Sequence, residues 1–184
     1  MQIQKVTSAL VAVLVTALAA ALTIAIVAAG KPAPNESVLA KEKGGAYVFY
    51  PGQKVKVIVS FTFPKGYHLN ETAPLGLELA EGTGKGLTFS PAKLRLNASN
   101  VKLPVTWDVA VGQGSKKPLP ATIKYVVSFC QDKGELCSFA DEKLNLVYRV
   151  VDKGAFAKSQ KLKALTGDET WVLKLTIKLS APKG

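Results

Sequence analysis

The only two cysteines of this 184-residue chain lie in one short segment, Phe129-Cys130-Gln131-Asp132-Lys133-Gly134-Glu135-Leu136-Cys137. An alternating apolar run at residues 123–129 precedes the loop, and a second run at residues 144–150 follows it. Alternation with period two is typical of half-buried strands, so we expect two strands joined by a short polar loop with a cysteine at each end. A disulfide there would close a ring of about eight residues, worth roughly 2.5 kcal/mol in the chain-entropy model.

A bridge across one hairpin stabilises a domain less than a bridge between distant strands, and it leaves the pair where thiol chemistry could reach it. Two roles for Cys130 and Cys137 therefore stay open, a redox-active pair and a structural disulfide. Asp132 and Glu135 lie between them and would raise the pKa of a thiol, whereas Lys133 would lower it. The sequence does not distinguish the accessible cysteine from the other one.

Further alternating runs predict further strands and place Trp107 and Trp171 in the core. These runs are residues 55–63, 75–79, 87–89, 94–96, 105–111 and 171–179. Seven or eight short strands without a long amphipathic helix predict an all-β fold, an antiparallel β-sandwich. Gly82, Gly84 and Gly86 are predicted to form a hairpin tip. Residues 152–168 lack a pattern and are predicted to form a loop or a short helical turn.

The first thirty residues differ from the rest of the chain. Residues 6–30 are almost wholly apolar and uncharged. The run is longer than the apolar region of a signal peptide and long enough for a transmembrane helix. We therefore predict a signal anchor or signal peptide at 1–30, a linker at 31–45 and one domain at 46–184. A cysteine pair suits an oxidising or thiol-relay compartment, so the domain is expected in the cell envelope, on the extracytoplasmic (periplasmic) side.

The formal net charge is +11, but Arg95 and Arg149 are the only arginines. Nucleic-acid readers usually rely on arginine, and no basic cluster interleaved with aromatic residues is present, so no nucleic-acid partner is predicted. The lysines are interpreted as a solvated surface. Attraction of that surface to an anionic envelope polymer is a further hypothesis.

His68 is the only histidine of the chain. One histidine with two cysteines at this spacing matches no common zinc pattern, so no metal site and no cofactor are predicted. A Ser-His-Asp triad is not supported by a single histidine beside a Pro-Lys-Gly turn. A role in the turn or in packing is the expectation for His68.

Three segments, in this order, carry a resemblance to a known family. The first is the strand and turn at residues 55–70, which contains Phe63-Pro64-Lys65-Gly66-Tyr67-His68-Leu69-Asn70. The second is Leu103-Pro104-Val105-Thr106-Trp107, and the third is residues 125–137, followed by the run at 144–150. Together they resemble the N-terminal periplasmic domain of the thiol:disulfide interchange protein DsbD family. The resemblance covers roughly residues 54–151.

The resemblance implies an immunoglobulin-like β-sandwich in which Cys130 and Cys137 are the redox pair. It implies a thioredoxin-like protein partner and a membrane electron donor. If the chain is an enzyme, it would be a component of a protein-disulfide reductase or thiol–disulfide oxidoreductase. The alternative is a non-catalytic binding or scaffold module with a structural disulfide, because one fold supports many functions.

Overall fold

The computed structural model describes residues 36–97, 102–134, 136–165 and 169–182. In these ranges the chain forms eleven strands and one short helix. The strands are β1 (Glu36–Val38), β2 (Tyr47–Phe49), β3 (Lys54–Thr62), β4 (Tyr67–Leu69), β5 (Leu75–Leu79), β6 (Leu87–Ser90), β7 (Lys93–Leu96), β8 (Val105–Val111), β9 (Leu119–Gln131), β10 (Cys137–Val150) and β11 (Thr170–Lys178), and the helix is α1 (Lys153–Ser159).

The strands form two sheets, which confirms the all-β class. The five-stranded sheet has the order β1-β11-β3-β8-β6. The six-stranded sheet has the order β2-β10-β9-β5-β7, and β4 also pairs with β9. The strand β9 therefore has β10 along one edge and both β5 and β4 along the other.

The prediction of purely antiparallel sheets is wrong. β1 pairs with β11, β11 with β3 and β2 with β10 in parallel register. Alternation reports which face of a strand is buried but not the direction of its neighbour. Parallel neighbours need a long connection, and β3 and β11 are separated by most of the domain.

Both sheets contribute to one hydrophobic core. The alternation of β8 gives a strictly alternating burial pattern, and Trp107 and Trp171 are each 1% exposed, as predicted. The rings of Phe61 on β3 and Tyr125 on β9 lie 5.9 Å apart and join the two sheets through the core. Burial of this continuous apolar surface is the main term that stabilises the fold.

A short helix follows the last strand of the hairpin. Asp152 caps α1, because its side chain accepts a hydrogen bond from the Ala155 amide at 2.8 Å. This backbone hydrogen bond is the main reason that the pKa of Asp152 is lowered. Phe156 is fully buried and anchors the helix on the core. A short helical turn was one of the two structures predicted for residues 152–168.

The glycine-rich segment does not form the tip of a hairpin. It connects β5, in the six-stranded sheet, with β6, in the five-stranded sheet. Gly82, Gly84 and Gly86 all have positive φ, which residues with a Cβ rarely adopt. At Gly86, an added Cβ would also lie 2.3 Å from the carbonyl oxygen of Gln113. The glycines therefore permit a close crossing between the sheets.

The predicted signal anchor at 1–30 lies outside the described residues. Within the described ranges, no helix is long and apolar enough to span a membrane. Residues 36–38 of the predicted linker form β1 and pair with β11.

Candidate functional site

The cysteines lie at the end of the longest hairpin of the fold. β9 and β10 pair antiparallel over twelve residue pairs, from Leu119–Tyr148 to Cys130–Cys137. The amide of Gln131 donates to the carbonyl oxygen of Leu136 at 3.0 Å and closes the turn. Cys130 and Cys137 are directly opposite each other, with a Cα–Cα distance of 4.0 Å, and form a disulfide. The predicted hairpin with a cysteine at each end is therefore confirmed.

The two cysteines differ in exposure. Cys130 is 9% exposed, whereas Cys137 belongs to the exposed residues of β10. Cys130 lies inside the sheet, between β4 and β10, while Cys137 begins its strand at the sheet end. The structure thus makes the distinction that the sequence did not, because a second thiol can approach Cys137 from solvent.

Apolar side chains are exposed beside the disulfide. Phe139 is 67% exposed and Leu136 is 69% exposed. Phe139 follows Cys137 by two residues on β10 and therefore projects from the same face of the sheet. Two large apolar side chains are therefore exposed within two residues of Cys137.

On its other side, Cys130 is flanked by a strand that contains the only histidine. β4 pairs antiparallel with β9 and places His68 directly opposite Cys130. His68, Cys130 and Cys137 therefore form one row across three strands, which we call the cysteine–histidine row. The Nδ1 atom of His68 lies 2.9 Å from Oδ1 of Asp132.

The strand β4 has only three residues, and side-chain contacts hold it in register. The amide of Asn70 donates to the carbonyl oxygen of Ser128 at 2.9 Å, and its side-chain amide donates to Oγ of Ser128 at 3.2 Å. The ring of Tyr67 packs edge-on against Phe129 at 5.6 Å, and its hydroxyl accepts a hydrogen bond from Gln131 at 3.0 Å. These contacts fix the position of His68 relative to Cys130.

A shallow groove of about 300 Å³ lies where β4 begins and β9 ends, next in sequence to His68 and Cys130. The charged side chains that line it are Lys65, Asp132 and Lys133. In the described part of the chain, no three metal-binding side chains come together. The groups observed at this site are a disulfide, an imidazole and nearby charges.

No protein-family model matches the chain, and a search of curated proteins also found no match. Membership of the DsbD family stays a prediction that rests on the three segments described above.

The sequence did not place His68 beside the cysteines. A role in the turn or in packing was expected; its side chain is 56% exposed, so it is not part of the core, and it contacts Asp132. Tyr67-His68-Leu69 follows the Pro-Lys-Gly turn and forms a strand of three residues, too short for alternation to identify it. The residue types were visible, but the pairing of β4 with β9 was not.

Proposed function

We propose that this chain is a thiol–disulfide interchange module that passes electrons through Cys130 and Cys137 to or from a thioredoxin-like partner. The observation that carries the proposal is the disulfide at the end of the β9–β10 hairpin with Cys137 exposed to solvent. A disulfide exchanges when a thiolate reaches one of its sulfur atoms, so access to Cys137 is the first requirement of the reaction.

The exchange proceeds in two steps that balance. A thiolate of the partner forms a bond to Sγ of Cys137, the Cys130–Cys137 bond breaks, and the electron pair stays on Sγ of Cys130. A second thiolate of the partner then attacks the mixed disulfide and leaves Cys137 as a thiolate. The partner dithiol is oxidised and the module is reduced; the reverse sequence transfers electrons outwards.

The surface beside Cys137 supports docking of a protein rather than a small thiol alone. Phe139 and Leu136 offer exposed apolar area next to the sulfur that reacts. Burial of these side chains by a partner would stabilise the complex, and the same contact would align the partner's thiol with Cys137.

The proposal also includes the fold type, the N-terminal segment and the cellular location of the chain. The domain is an immunoglobulin-like sandwich of the DsbD N-terminal type, preceded by a signal anchor or signal peptide at 1–30. It is held in the cell envelope on the extracytoplasmic side, and a membrane electron donor reduces it. Two sheets around one core and the order of the three resembling segments support this description.

The alternative function is a binding or scaffold module with a permanent disulfide. One observation favours it: Cys130 is 9% exposed, as is common for structural cysteines. The two functions differ in the reaction of the disulfide with a protein dithiol.

The test is to mix the oxidised full-length chain with a reduced thioredoxin and to follow the free thiols of Cys130 and Cys137 by alkylation and mass spectrometry. We expect both thiols to appear at a rate that increases with thioredoxin concentration. A disulfide that survives excess thioredoxin, yet is reduced after denaturation, would leave the scaffold function as the better account. Phe139→Ser serves as a matched variant, because it removes apolar docking surface without touching either cysteine.

A further inference from the structure

We propose that His68 is a third functional residue of the disulfide site and donates a proton to Sγ of Cys130 when the disulfide opens. Asp132 is the positioning residue that holds the imidazole. This inference rests on the proposed interchange function, because a proton donor for Cys130 has a role only if the disulfide reacts.

The first observation in support of this proposal is the register of three strands, which places His68 near the disulfide. His68 is paired with Cys130 across β4 and β9, and Cys130 is paired with Cys137 across β9 and β10. Residues that are directly opposite in an antiparallel pair project from the same face, with their Cβ atoms about 4.5–5.5 Å apart. The imidazole and the disulfide therefore occupy neighbouring positions on one face of the sheet.

The second observation is the orientation of the imidazole. Nδ1 of His68 lies 2.9 Å from Oδ1 of Asp132, which follows Cys130 by two residues. A carboxylate accepts from Nδ1–H, so Nε2 is the nitrogen that remains for proton exchange. Both side chains are more than half exposed, so water can return the proton that the ring donates.

The third observation concerns Cys130, which is the leaving group of the proposed reaction and is stabilised when it takes up a proton. Attack at the exposed Cys137 makes Cys130 the leaving group, and Cys130 is 9% exposed. Burial disfavours a thiolate, and a leaving group leaves faster when its charge is stabilised. The proton of Nε2–H of protonated His68 moves to Sγ of Cys130, which gives a neutral thiol and a neutral imidazole.

Other charged groups lie close in sequence to the site, and their effects on the thiol must be distinguished from that of His68. Lys65 in the β3–β4 turn and Lys133 in the β9–β10 turn line the groove with Asp132. On the outer face of β10, the nearest charged residue described is Asp141, four positions beyond Cys137. The lysines would favour a thiolate through their general field, whereas a proton donor acts only while the imidazole is protonated.

The experiment uses the full-length chain with Cys137→Ser, which leaves Cys130 as a single thiol. The thiolate absorbance and the rate of alkylation by iodoacetamide are measured across pH in this parent, in the parent with His68→Gln and, as the matched control, in the parent with Lys133→Gln. We expect His68→Gln to leave the Cys130 titration nearly unchanged, because an imidazole that gives its proton to Cys130 is neutral when the thiol ionises, and Lys133→Gln to move the titration upwards. A titration moved upwards by about one pH unit or more in His68→Gln would show a thiolate paired with an imidazolium and would overturn the proton transfer.

A second readout uses the intact disulfide and a small reductant. The rate of reduction by dithiothreitol, corrected for the dithiothreitol thiolate concentration, should be lower at alkaline pH, where a neutral imidazole cannot act as the proton donor, and should be flat in His68→Gln. Near neutral pH we expect a loss of roughly tenfold in the variant, below the usual range of about 10²–10⁴-fold for proton donation, because the site is open to water. A variant that keeps the parent's pH profile would contradict the inference, and His68→Asn repeats the test if His68→Gln does not fold.

The role of Asp132 is tested by a double-mutant cycle. Asp132→Asn is made with and without His68→Gln, and the rate of reduction by dithiothreitol near neutral pH is compared. If Asp132 acts through His68, its effect changes when the histidine is absent, because only direct repulsion of the thiolate remains. Additive effects would contradict the positioning role. The tests of His68 use only small reagents and need no protein partner. A failure of exchange with thioredoxin therefore does not affect them, and the two failures can be distinguished.

Discussion

Cys137 is exposed to solvent, whereas Cys130, its disulfide partner directly opposite on β9, is only 9% exposed. This difference assigns separate roles within the proposed exchange, attack at Cys137 and release of Cys130. It also predicts that the two single-cysteine variants react differently with a partner. Two equally exposed cysteines, or two fully buried ones, would not predict this difference.

Cys130→Ser should trap a mixed disulfide with a thioredoxin-like partner, and Cys137→Ser should trap much less. The physical reason is that Cys137 remains accessible when its resolving partner is removed. The measurement is non-reducing electrophoresis after incubation with a single-cysteine thioredoxin variant whose thiol is activated as a mixed disulfide with thionitrobenzoate, so that the Cys137 thiolate displaces thionitrobenzoate when the two proteins are joined. Equal trapping by both variants would mean that exposure does not decide which cysteine reacts.

Removal of the disulfide should weaken the domain without unfolding it. The double variant Cys130→Ala/Cys137→Ala is expected to lose about 2.5 kcal/mol or less in its free energy of unfolding, the chain-entropy value for a loop of eight residues. The other ladder pairs between β9 and β10 still hold the hairpin. Urea unfolding checks this, with reduced wild-type protein as the control. Complete unfolding on reduction would instead indicate a structural bridge.

Much of the fold could be predicted from alternation because long strands report their own buried face. β8 and β9 bury the side chains that their periodicity selects, including Trp107 and Phe129. The strands β1, β2 and β4 have three residues each, too few for a period to be recognised. β1 and β2 pair in parallel with β11 and β10, which are distant in sequence, so parallel pairing was missed as well.

The candidate site was only half predictable for the same reason. Cys130 and Cys137 are close in sequence, and a hairpin between them follows from the flanking runs. His68 reaches Cys130 only through the pairing of β4 with β9, across sixty-two positions (the difference of the two residue numbers). No local pattern encodes that contact.

Alkaline pH should destabilise the domain through Tyr125. Burial, together with a hydrogen bond from its hydroxyl to Glu142 at 2.8 Å, raises the pKa of Tyr125 from 10.0 to about 12. The unfolded chain releases this proton near pH 10.0 while the folded chain keeps it to about 12, so the stabilisation is complete below pH 10.0 and is lost as pH rises through this window.

Tyr125→Phe should therefore reduce the slope of stability against pH in this window. Burial also raises the pKa of Tyr47, Tyr50 and Tyr148, so some slope should remain. Urea unfolding at a series of alkaline pH values gives the slope for both proteins. Identical slopes would show that Tyr125 ionises alike in the folded and unfolded chain.

Phe156→Ala should be among the most destabilising single changes. Phe156 is 0% exposed, and its ring lies 4.9 Å from that of Tyr50 and 4.8 Å from that of Trp171. Truncation leaves a cavity under α1, and we expect a loss of about 3–5 kcal/mol in the free energy of unfolding. Phe156→Leu is the control with a smaller cavity and a smaller loss. A loss below about 1 kcal/mol for alanine would mean that the site can collapse around the missing ring.

The central claim, that Cys130 and Cys137 form an exchanging pair, is tested most directly by the reduction potential of their disulfide in the full-length chain. Equilibration against glutathione and thioredoxin buffers, with alkylation of the free thiols, gives this value. We expect a potential between those of thioredoxin, about −270 mV, and the strong periplasmic oxidants, about −120 mV. A potential below about −300 mV, which is typical of structural disulfides, would contradict the claim and leave a scaffold module.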